Sequence, residues 1–399
     1  MVVLCILFFN SISFSQWIPV GVNTPLGGDI MSLKVYDTEM YAGGTANLFR
    51  STNSGDNWSG CFQMPLMYIW SLAKINNTIF CGSFAGNGVY KSTNNGINWT
   101  SCTPVSNNVI NDMAAGGNTL YVLPNIGGIF KSTNNGTNWI SIGQGGVKIF
   151  WSNNRLYSAG SGLYVTTNDG QNWNMLRSEA MSSIYAEDSL VFAGTQNTGL
   201  LRSGNYGINF TNVLGGQIRI NSIYKYQNNV FVSADSLDPN FVTINRFYYS
   251  TNNGLSFTLR NQGLESVKVQ DMVVYNNYLY VANGNYGTTN VSVYKRLLQD
   301  VIGIKKVGDI IPERYRLEQN YPNPFNQTTV INFKIPVSGE VKIVLYDIKG
   351  SEVRTLVNED VQAGEYHVRF DAGELTSGVY FYRIEVNGFV DTKKMMVVK

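Results

Sequence analysis

The sequence predicts an all-β fold, a seven-bladed β-propeller followed by a small Ig-like β-sandwich domain. Three observations predict it: a motif that recurs about every 40 residues, alternating apolar stretches between its copies, and a composition suited to strands and turns. The 399 residues include 40 glycines, 24 tyrosines and 20 phenylalanines. Glycine supplies turn geometry and aromatic side chains favour pleated surfaces, so we expect strands throughout the chain.

The recurring motif is a segment of eight residues that ends in Trp or Phe. Successive copies end 41, 40, 34, 37 and 47 residues apart. The copies are residues 51–58, 92–99, 132–139, 166–173, 203–210 and 250–257. A period of this length is typical of propeller blades or helical arrays, and the content of each period decides between them.

Each period contains two alternating apolar stretches joined by a polar turn. One example runs from Ile69 to Ser83 across Asn76 and Asn77. This pattern predicts a β-hairpin. A third short strand precedes each motif and a fourth begins at its Trp or Phe. Four antiparallel strands in each period are typical of a propeller blade.

The two ends of this repeat region predict how the ring closes. Seven hairpins are present but only six motifs, and residues 291–295 follow the last hairpin with no motif after them. Residues 17–21 resemble residues 139–143, which form the fourth strand of a blade. We therefore expect the N-terminal strand to complete the seventh blade, because closure removes the exposed edges of an open array.

The motif resembles the Asp-box of BNR and sialidase-like propellers, Ser-x-Asp-x-Gly-x-x-Trp, with Asn in place of Asp. An Asn side-chain carbonyl can still accept a backbone N–H bond two residues on, and the glycine can take positive φ. The resemblance implies a structural role, with the aromatic residue packed between blades, on the face opposite the ligand-binding mouth. The motif residues are Asn53, Gly55, Trp58, Asn94, Gly96, Trp99, Asn134, Gly136, Trp139, Asn168, Gly170, Trp173, Asn205, Gly207, Phe210, Asn252, Gly254 and Phe257.

The C-terminal segment resembles the type A sorting domain of the type IX secretion system. The matching pieces are residues 317–326 (LEQNYPNPFN), 345–350 (LYDIKG), 377–383 (SGVYFYR) and 393–399 (KKMMVVK). The resemblance implies that the secretion machinery is a partner. It also implies transport across the outer membrane of a gram-negative bacterium, followed by release or anchoring at the cell surface.

We expect the chain to consist of four segments. Residues 1–15 combine an apolar run with small residues, as a secretory signal peptide does. The propeller is expected over residues 16–298, a linker over 299–313 and the sorting domain over 314–399.

Charge and composition argue against several partners. Lys and Arg total 29 against 27 for Asp and Glu, so no strong field exists to attract nucleic acid. No segment has the apolar length of a transmembrane helix, and we expect a monomer without cofactor or metal. The only histidine, His367, lies in the C-terminal domain, which argues against His-based triads and metal sites in the propeller. Cys61, Cys81 and Cys102 lack metal-ligand spacing, and their pairing is left open.

The mouth of the propeller is the end at which the first strand of each blade begins. Loops between blades, and loops between second and third strands, meet there. Aromatic side chains beside Asn, Asp and Arg are typical of sugar and peptide sites. The mouth candidates are Tyr68, Trp70, Arg177, Arg219, Asp235, Asp238, Phe241 and Tyr286.

We expect a non-enzymatic binding module for a glycan, peptide or protein. One alternative is a secreted glycoside hydrolase that uses Asp112 and Asp271, which occupy equivalent first-strand positions in blades three and seven. A sialidase-like site is disfavoured because only Arg177 and Arg219 are expected near the mouth, and such a site requires three arginines. A further alternative is a scaffold or assembly factor of an envelope complex.

Overall fold

A computed structural model describes residues 17–22, 24–61, 68–84, 88–102, 109–237, 242–261, 263–298, 301, 304–306, 311–361, 363–372 and 375–399. The predicted signal peptide therefore lies outside the described residues. Strands account for almost all of the regular structure of the described residues, and α1 (Tyr286–Thr289) is a short helix within them. The all-β prediction is confirmed.

Seven four-stranded antiparallel sheets, here called blades 1 to 7, are formed before residue 299. Blades 1 and 2 contain β2 (Ile30–Tyr36), β3 (Glu39–Gly44), β4 (Asn47–Ser51), β5 (Ser59–Gly60), β6 (Ile69–Ile75), β7 (Thr78–Ser83), β8 (Val89–Ser92) and β9 (Thr100–Ser101). Blades 3 and 4 contain β10 (Ile110–Gly116), β11 (Thr119–Pro124), β12 (Ile129–Ser132), β13 (Ile140–Gly143), β14 (Lys148–Ser152), β15 (Arg155–Ala159), β16 (Leu163–Thr166) and β17 (Asn174–Arg177).

The remaining blades follow the same order, except that the last one takes a strand from the N-terminus. Blades 5 and 6 contain β18 (Met181–Glu187), β19 (Leu190–Thr195), β20 (Leu200–Ser203), β21 (Thr211–Leu214), β22 (Arg219–Tyr226), β23 (Asn229–Leu237), β24 (Thr243–Ser250) and β25 (Thr258–Leu259). Blade 7 contains β26 (Val269–Tyr275), β27 (Tyr278–Asn283), β28 (Val293–Leu297) and β1 (Ile18–Val20).

The chain closes into a ring as the sequence predicts. β1 pairs antiparallel with β28, with Ile18 opposite Lys295 and Val20 opposite Val293. The first strands of successive blades contact one another, and β2 of blade 1 also contacts β26 of blade 7. Each of the seven blades therefore has a neighbour on both faces, and the strand edges that remain are those of the short outer strands.

The core of the ring lies between blades and contains one aromatic residue from each second strand. The third residue of every second strand is Tyr or Phe, and all seven are buried: Tyr41, Phe80, Tyr121, Tyr157, Phe192, Phe231 and Tyr280. Each blade alone is too small to bury such rings on both faces, so stacking of neighbours supplies the core.

The C-terminal domain is a sandwich of two four-stranded sheets. One sheet has the order β29 (Ile304–Lys306), β34 (Gly364–Asp371), β31 (Thr328–Ile335) and β30 (Arg316–Leu317). The other has the order β33 (Glu352–Val361), β32 (Gly339–Tyr346), β35 (Gly378–Val386) and β36 (Phe389–Val397). Apolar residues of both sheets form one continuous core between them.

Two features of this domain differ from the sequence analysis. The segment 299–313 is not only a linker, because β29 within it pairs with β34, Ile304 opposite Val368. β33 was not predicted as a strand. It is an edge strand whose first three residues, Glu352, Val353 and Arg354, are all exposed, so its sequence lacks the alternation that marks a half-buried strand. Among the described residues, no helix is both long and apolar enough to cross a membrane.

Candidate functional site

The repeat motifs form turns between the third and fourth strands that are closed by their own side chains. In the first copy, the Ser51 hydroxyl donates to Asn53 Oδ1 (3.1 Å) and accepts the Gly55 N–H (2.9 Å). Asn53 Oδ1 also accepts the Asn57 N–H at 2.9 Å. The backbone donor is thus four residues after the Asn, and not two as we expected. The hydroxyl and the carboxamide together satisfy backbone groups that the turn leaves unpaired.

The motif glycine also allows close contact with the preceding blade. Gly136 has φ +73°, and a Cβ placed on it would lie 2.7 Å from Cys102 Sγ. Gly170 is similar, since its Cβ would lie 2.4 Å from Ile142 of blade 3. The residue three positions after the motif Trp therefore packs beneath the next turn. The motif residues therefore take part in the packing between blades.

The cysteines belong to this same packing. Cys61, Cys81 and Cys102 are buried thiols that form no disulfide among the described residues. Burial raises the pKa of Cys61 and of Cys102 to about 11. Thiols in this state are poor nucleophiles and poor metal ligands at neutral pH, so they act as small apolar residues.

An aromatic group marks the mouth at blade 2. The Trp70 and Phe84 rings stack with centroids 3.6 Å apart, and the Phe84 N–H donates to the Tyr68 carbonyl at 2.7 Å. The Tyr68 side chain is 48% exposed, whereas Trp70 Nε1 is buried and makes no hydrogen bond to the part of the chain described. Tyr68 and Trp70 are therefore placed together, with Phe84 as a partner that the sequence analysis missed.

The charged mouth candidates lie at other points of the rim. Arg177 ends β17 and pairs with Glu179 at 2.6 Å, which lowers the pKa of the Glu179 carboxyl. Arg219 and Asp235 are register partners on β22 and β23 of blade 6. The Asp235 carboxylate accepts a hydrogen bond from the Asn221 carboxamide at 3.1 Å. Only this pair shares a blade among the described charged candidates.

Of the remaining mouth candidates, one lies in blade 7 and two lie outside the described residues. Tyr286 lies in α1, where its backbone N–H donates to Asp29 Oδ1 of blade 1 at 2.7 Å. Asp29 is a mouth residue that the sequence analysis did not select. Asp238 and Phe241 lie outside the described residues.

The two channel carboxylates each bind the first strand of the next blade. Asp112 Oδ2 accepts the Ile149 N–H at 2.9 Å, and Asp271 Oδ2 accepts the Leu33 N–H at 2.8 Å. A β-bulge precedes each aspartate in its strand. The bulge turns the side chain towards the neighbouring blade, so both carboxylates serve as bridges between blades.

Lysines complete these bridges. Lys34 Nζ lies 2.6 Å from Asp271, and Lys148 Nζ lies 3.7 Å from Asp112. Burial opposes the charge of Lys34, but the nearby Asp271 carboxylate outweighs it and raises the Lys34 pKa. Burial raises the pKa of Asp112 despite the attraction of Lys148. The channel therefore contains two ion pairs whose opposite charges compensate each other. Asp112 is the carboxyl group that binds a proton more readily than an ordinary aspartate does.

The asparagine-proline motif of the C-terminal domain joins its two sheets to the last strand. Asn320 is buried, its N–H donates to the Tyr382 hydroxyl at 2.7 Å, and its carboxamide donates to Thr329. Asn323 Oδ1 accepts the Met396 N–H at 2.9 Å, and Phe325 is buried in the core. The motif therefore fixes the position of the C-terminal β36.

Two family models match parts of the chain. Residues 319–399 match the secretion system C-terminal sorting domain, and residues 71–181 match the DUF6242 beta propeller domain. The first match covers the segment for which the sequence analysis expected a type IX sorting domain, and the second lies within the ring. A search of curated proteins finds no match.

Several solved structures share the fold at low sequence identity. YCF48 bound to D1 peptide is 14% identical with a TM-score of 0.56, over 72% of this chain and 98% of that one. The extracellular domain of the putative one component system BT4673 from B. thetaiotaomicron is 13% identical with a TM-score of 0.54, over 96% of this chain and 59% of that one.

The third neighbour comes from a secretion system. PorZ is a surface component of the type IX secretion system of Porphyromonas gingivalis, and it is 13% identical with a TM-score of 0.52. The alignment covers 93% of this chain and 60% of PorZ, so the chain spans well under two thirds of that protein. These likenesses support the propeller fold. With the sorting-domain match, they identify the chain as a β-propeller protein that the type IX secretion system exports to the cell surface or the extracellular space.

Proposed function

We propose that the propeller is a non-enzymatic binding module that takes a glycan, a peptide or a protein at its mouth outside the cell. The observation that carries this proposal is the aromatic group of Tyr68, Trp70 and Phe84 at the rim. Stacked rings with one exposed neighbour offer a rigid apolar surface at low entropic cost. The peptide bound to YCF48, a propeller of similar fold, agrees with a peptide as one ligand class.

We further propose that residues 1–15 are a signal peptide, that residues 16–298 form the functional unit, and that it acts as a monomer. The repeat turns are proposed to be Asp-box turns in which Asn replaces Asp. Their hydrogen bonds support a structural role, because the Asn oxygen and the Ser hydroxyl are both used within the turn.

Binding should be tested on glycan and peptide arrays with the secreted chain and with Trp70→Ala and Tyr68→Ala variants. We expect Trp70→Ala to weaken binding by about tenfold or more, because the central stacked ring is lost. Ile140→Ala is the matched control, since Ile140 is 61% exposed on the outer strand β13, away from the mouth. Equal binding by Trp70→Ala, Tyr68→Ala and Ile140→Ala would contradict the mouth as the binding surface.

The second candidate function is a glycoside hydrolase. The observation that favours it is the raised pKa of Asp112, since a general acid must hold its proton near neutral pH. Against it, Asp271 is paired with Lys34 at 2.6 Å and both aspartates bridge blades. Turnover of chromogenic glycosides that Asp112→Asn or Asp271→Asn abolishes would establish the enzyme, and we expect none.

A scaffold role in an envelope complex remains the third candidate, and the likeness to PorZ is the observation that favours it. Crosslinking in intact cells followed by pull-down distinguishes it. A stable set of envelope proteins recovered with wild type and with Trp70→Ala alike would favour the scaffold.

A further inference from the structure

A cleft of about 560 Å³ opens between blades 3 and 4 on the face opposite the mouth. Its walls are the hairpin turn of blade 3, the hairpin turn of blade 4 and the repeat turn of blade 4. Its lining includes Gly116, Tyr121, Trp151, Asn154, Asp169 and Gln171. All of these residues lie in the continuously described range 109–237, so the geometry of the whole cleft is available.

The Trp151 indole packs against β10 at the point where this strand ends in a glycine. The corresponding first strands of blades 1, 2 and 7 end in Tyr36, Ile75 and Tyr275. A Cβ on Gly116 would lie 2.3 Å from the Trp151 indole, so the ring occupies the space that a side chain fills in other blades. Trp151 is half-buried. The same Cβ would lie 2.4 Å from both Cδ2 and Nε1, so one face of the five-membered ring packs on Gly116, and Trp151 also lines the cleft.

Neighbouring hairpins elsewhere in the ring are bridged across this face. Lys74 of blade 2 reaches Asp37 of blade 1 at 2.5 Å, and Asn76 reaches Asn118 of blade 3 at 3.4 Å. Within residues 109–237, no side-chain hydrogen bond joins the turn after β10 to the turn after β14. The hairpin turns of blades 3 and 4 are thus not bonded to each other, in contrast to those of blades 1 and 2 and of blades 2 and 3.

The polar groups around the indole are neutral and unused. The side chains of Asn154 and Gln171 are exposed, and neither makes a hydrogen bond to the described part of the chain, nor does the Trp151 indole N–H. The charged group in the lining, Asp169, accepts the Tyr121 hydroxyl at 2.9 Å and pairs with Lys131 at 3.1 Å. Its charge is therefore compensated, and its pKa is lowered by these partners.

We propose that this cleft binds a neutral oligosaccharide. One pyranose ring would lie with its apolar face on the Trp151 indole, and its hydroxyl groups would bond to the carboxamides of Asn154 and Gln171. An aromatic ring flanked by carboxamides matches a ligand that is apolar on its faces and rich in hydroxyls at its edge. The compensated charge of Asp169 favours a neutral sugar over an anionic or cationic one.

This site is separate from the mouth and does not depend on the function proposed for it. Trp151 lies beside the hairpin turn of blade 4, whereas Trp70 lies at the start of the first strand of blade 2, at the other end of the ring. The two tryptophans therefore provide reciprocal variants that distinguish the two surfaces.

The experiment titrates the secreted chain with four neutral probes, cellohexaose, laminarihexaose, mannohexaose and maltohexaose, by calorimetry and by tryptophan fluorescence. We expect at least one to bind. Trp151→Ala should weaken that binding by about tenfold or more, and Gly116→Ala should weaken it severalfold because the added methyl displaces the indole. Leu255→Ala is the matched control, because Leu255 is 58% exposed in the repeat turn of blade 6, and it should bind as wild type does. Trp70→Ala is measured beside it to report on the mouth.

Exposed Gln171 supplies a variant that keeps the packing intact, so Gln171→Ala should weaken binding severalfold with an unchanged melting temperature. It replaces Trp151→Ala if that variant fails to fold. The proposal is overturned if no probe binds the wild type, or if binding survives both Trp151→Ala and Gln171→Ala. Loss of binding in Trp70→Ala alone would assign the sugar to the mouth and also overturn it.

Discussion

The Asn oxygen and the hydroxyl, which is Thr166 in blade 4 and Ser elsewhere, are used in the same way in every copy of the repeat turn. In blade 2, Asn94 Oδ1 accepts the Ser92 hydroxyl at 3.0 Å and the Asn98 N–H at 2.9 Å. An aspartate would provide the same acceptor, which explains how Asn substitutes for Asp in this motif. The turn requires an oxygen that accepts these hydrogen bonds, and the charge of that oxygen matters less.

Because the Asn94 oxygen acts as a hydrogen-bond acceptor, two substitutions of Asn94 should give different results. Asn94→Ala should lower the free energy of unfolding by about 1–2 kcal/mol, because the Asn98 N–H loses its partner. Asn94→Asp should stay within about 0.5 kcal/mol of wild type, because both acceptor bonds persist. Denaturant titration with both variants measures the difference. Equal losses in the two variants would contradict an acceptor role for the Asn94 oxygen.

The buried aromatic residue of the second strand is a repeat feature that the sequence analysis did not identify. Where it is Tyr, its hydroxyl bonds to the repeat turn of the next blade. Tyr121 donates to Asp169 Oδ1 at 2.9 Å and Tyr280 donates to the Ser54 carbonyl at 2.8 Å. Alignment of the hairpins on their turns would have revealed this position, because it always lies two residues after the strand begins.

At the scale of the element, the hairpin of β3 and β4 in blade 1 is held by a partly buried ion pair. Arg50 binds Glu39 through two nitrogens, at 2.5 and 2.8 Å, and the Tyr41 hydroxyl donates to the same carboxylate at 2.6 Å. The hydrogen bonds from Arg50 lower the pKa of Glu39. A carboxyl group whose pKa is lowered in the folded state stabilises the fold at pH values above its ordinary pKa. This contribution is lost as the pH falls through the pKa of the folded state.

We therefore expect Glu39→Gln to destabilise the chain by about 1–2 kcal/mol at neutral pH. The difference from wild type should shrink as the pH falls below the ordinary value of 4.5 and should vanish once the wild-type carboxyl is protonated. Denaturant titrations between neutral and acid pH measure both curves. A difference that stays constant down to the lowest pH would show that the pair contributes through packing alone.

At the scale of the whole molecule, closure of the ring depends on a strand of three residues. Pro19 of β1 lies opposite Tyr294 of β28, and Val20 is buried against the core of blade 1. The first and last strands of the ring are thereby joined within one blade, and blade 7 packs against blade 1 as other neighbouring blades pack against each other. Disruption of this pair should loosen blade 7 first.

A disulfide between Pro19→Cys and Tyr294→Cys tests this register. We expect it to form spontaneously and to raise the free energy of unfolding, by up to about 5–6 kcal/mol if the effect is entirely loss of entropy in the unfolded chain. Mass spectrometry detects the bond and denaturant titration measures its effect. The control combines Pro19→Cys with Tyr278→Cys on β27, which is two strands away and too distant to bridge. Crosslinking in the control pair but not in the test pair would contradict the closure.

The order of elements could be predicted almost completely from the sequence because it depends on local patterns. The repeat period, the polar turns and the likeness of residues 17–21 to 139–143 predicted the hairpins and the closing strand. The candidate site could be predicted only in part. Tyr68 and Trp70 were selected, but Phe84 and Asp29 were not, because their contacts join segments that no local pattern relates.

By itself the sequence determined the all-β class, the propeller, the sorting domain and the route of export, since each follows from motifs that are contiguous in the chain. Only the tertiary structure decided the role of Asp112 and Asp271, which point across the seams between blades and are held by N–H groups of the next blade. Only the tertiary structure, too, shows the cleft at Trp151, where a glycine on one blade makes room for an indole on another. Strand patterns are local, whereas the space between two blades depends on side chains that are distant in the sequence.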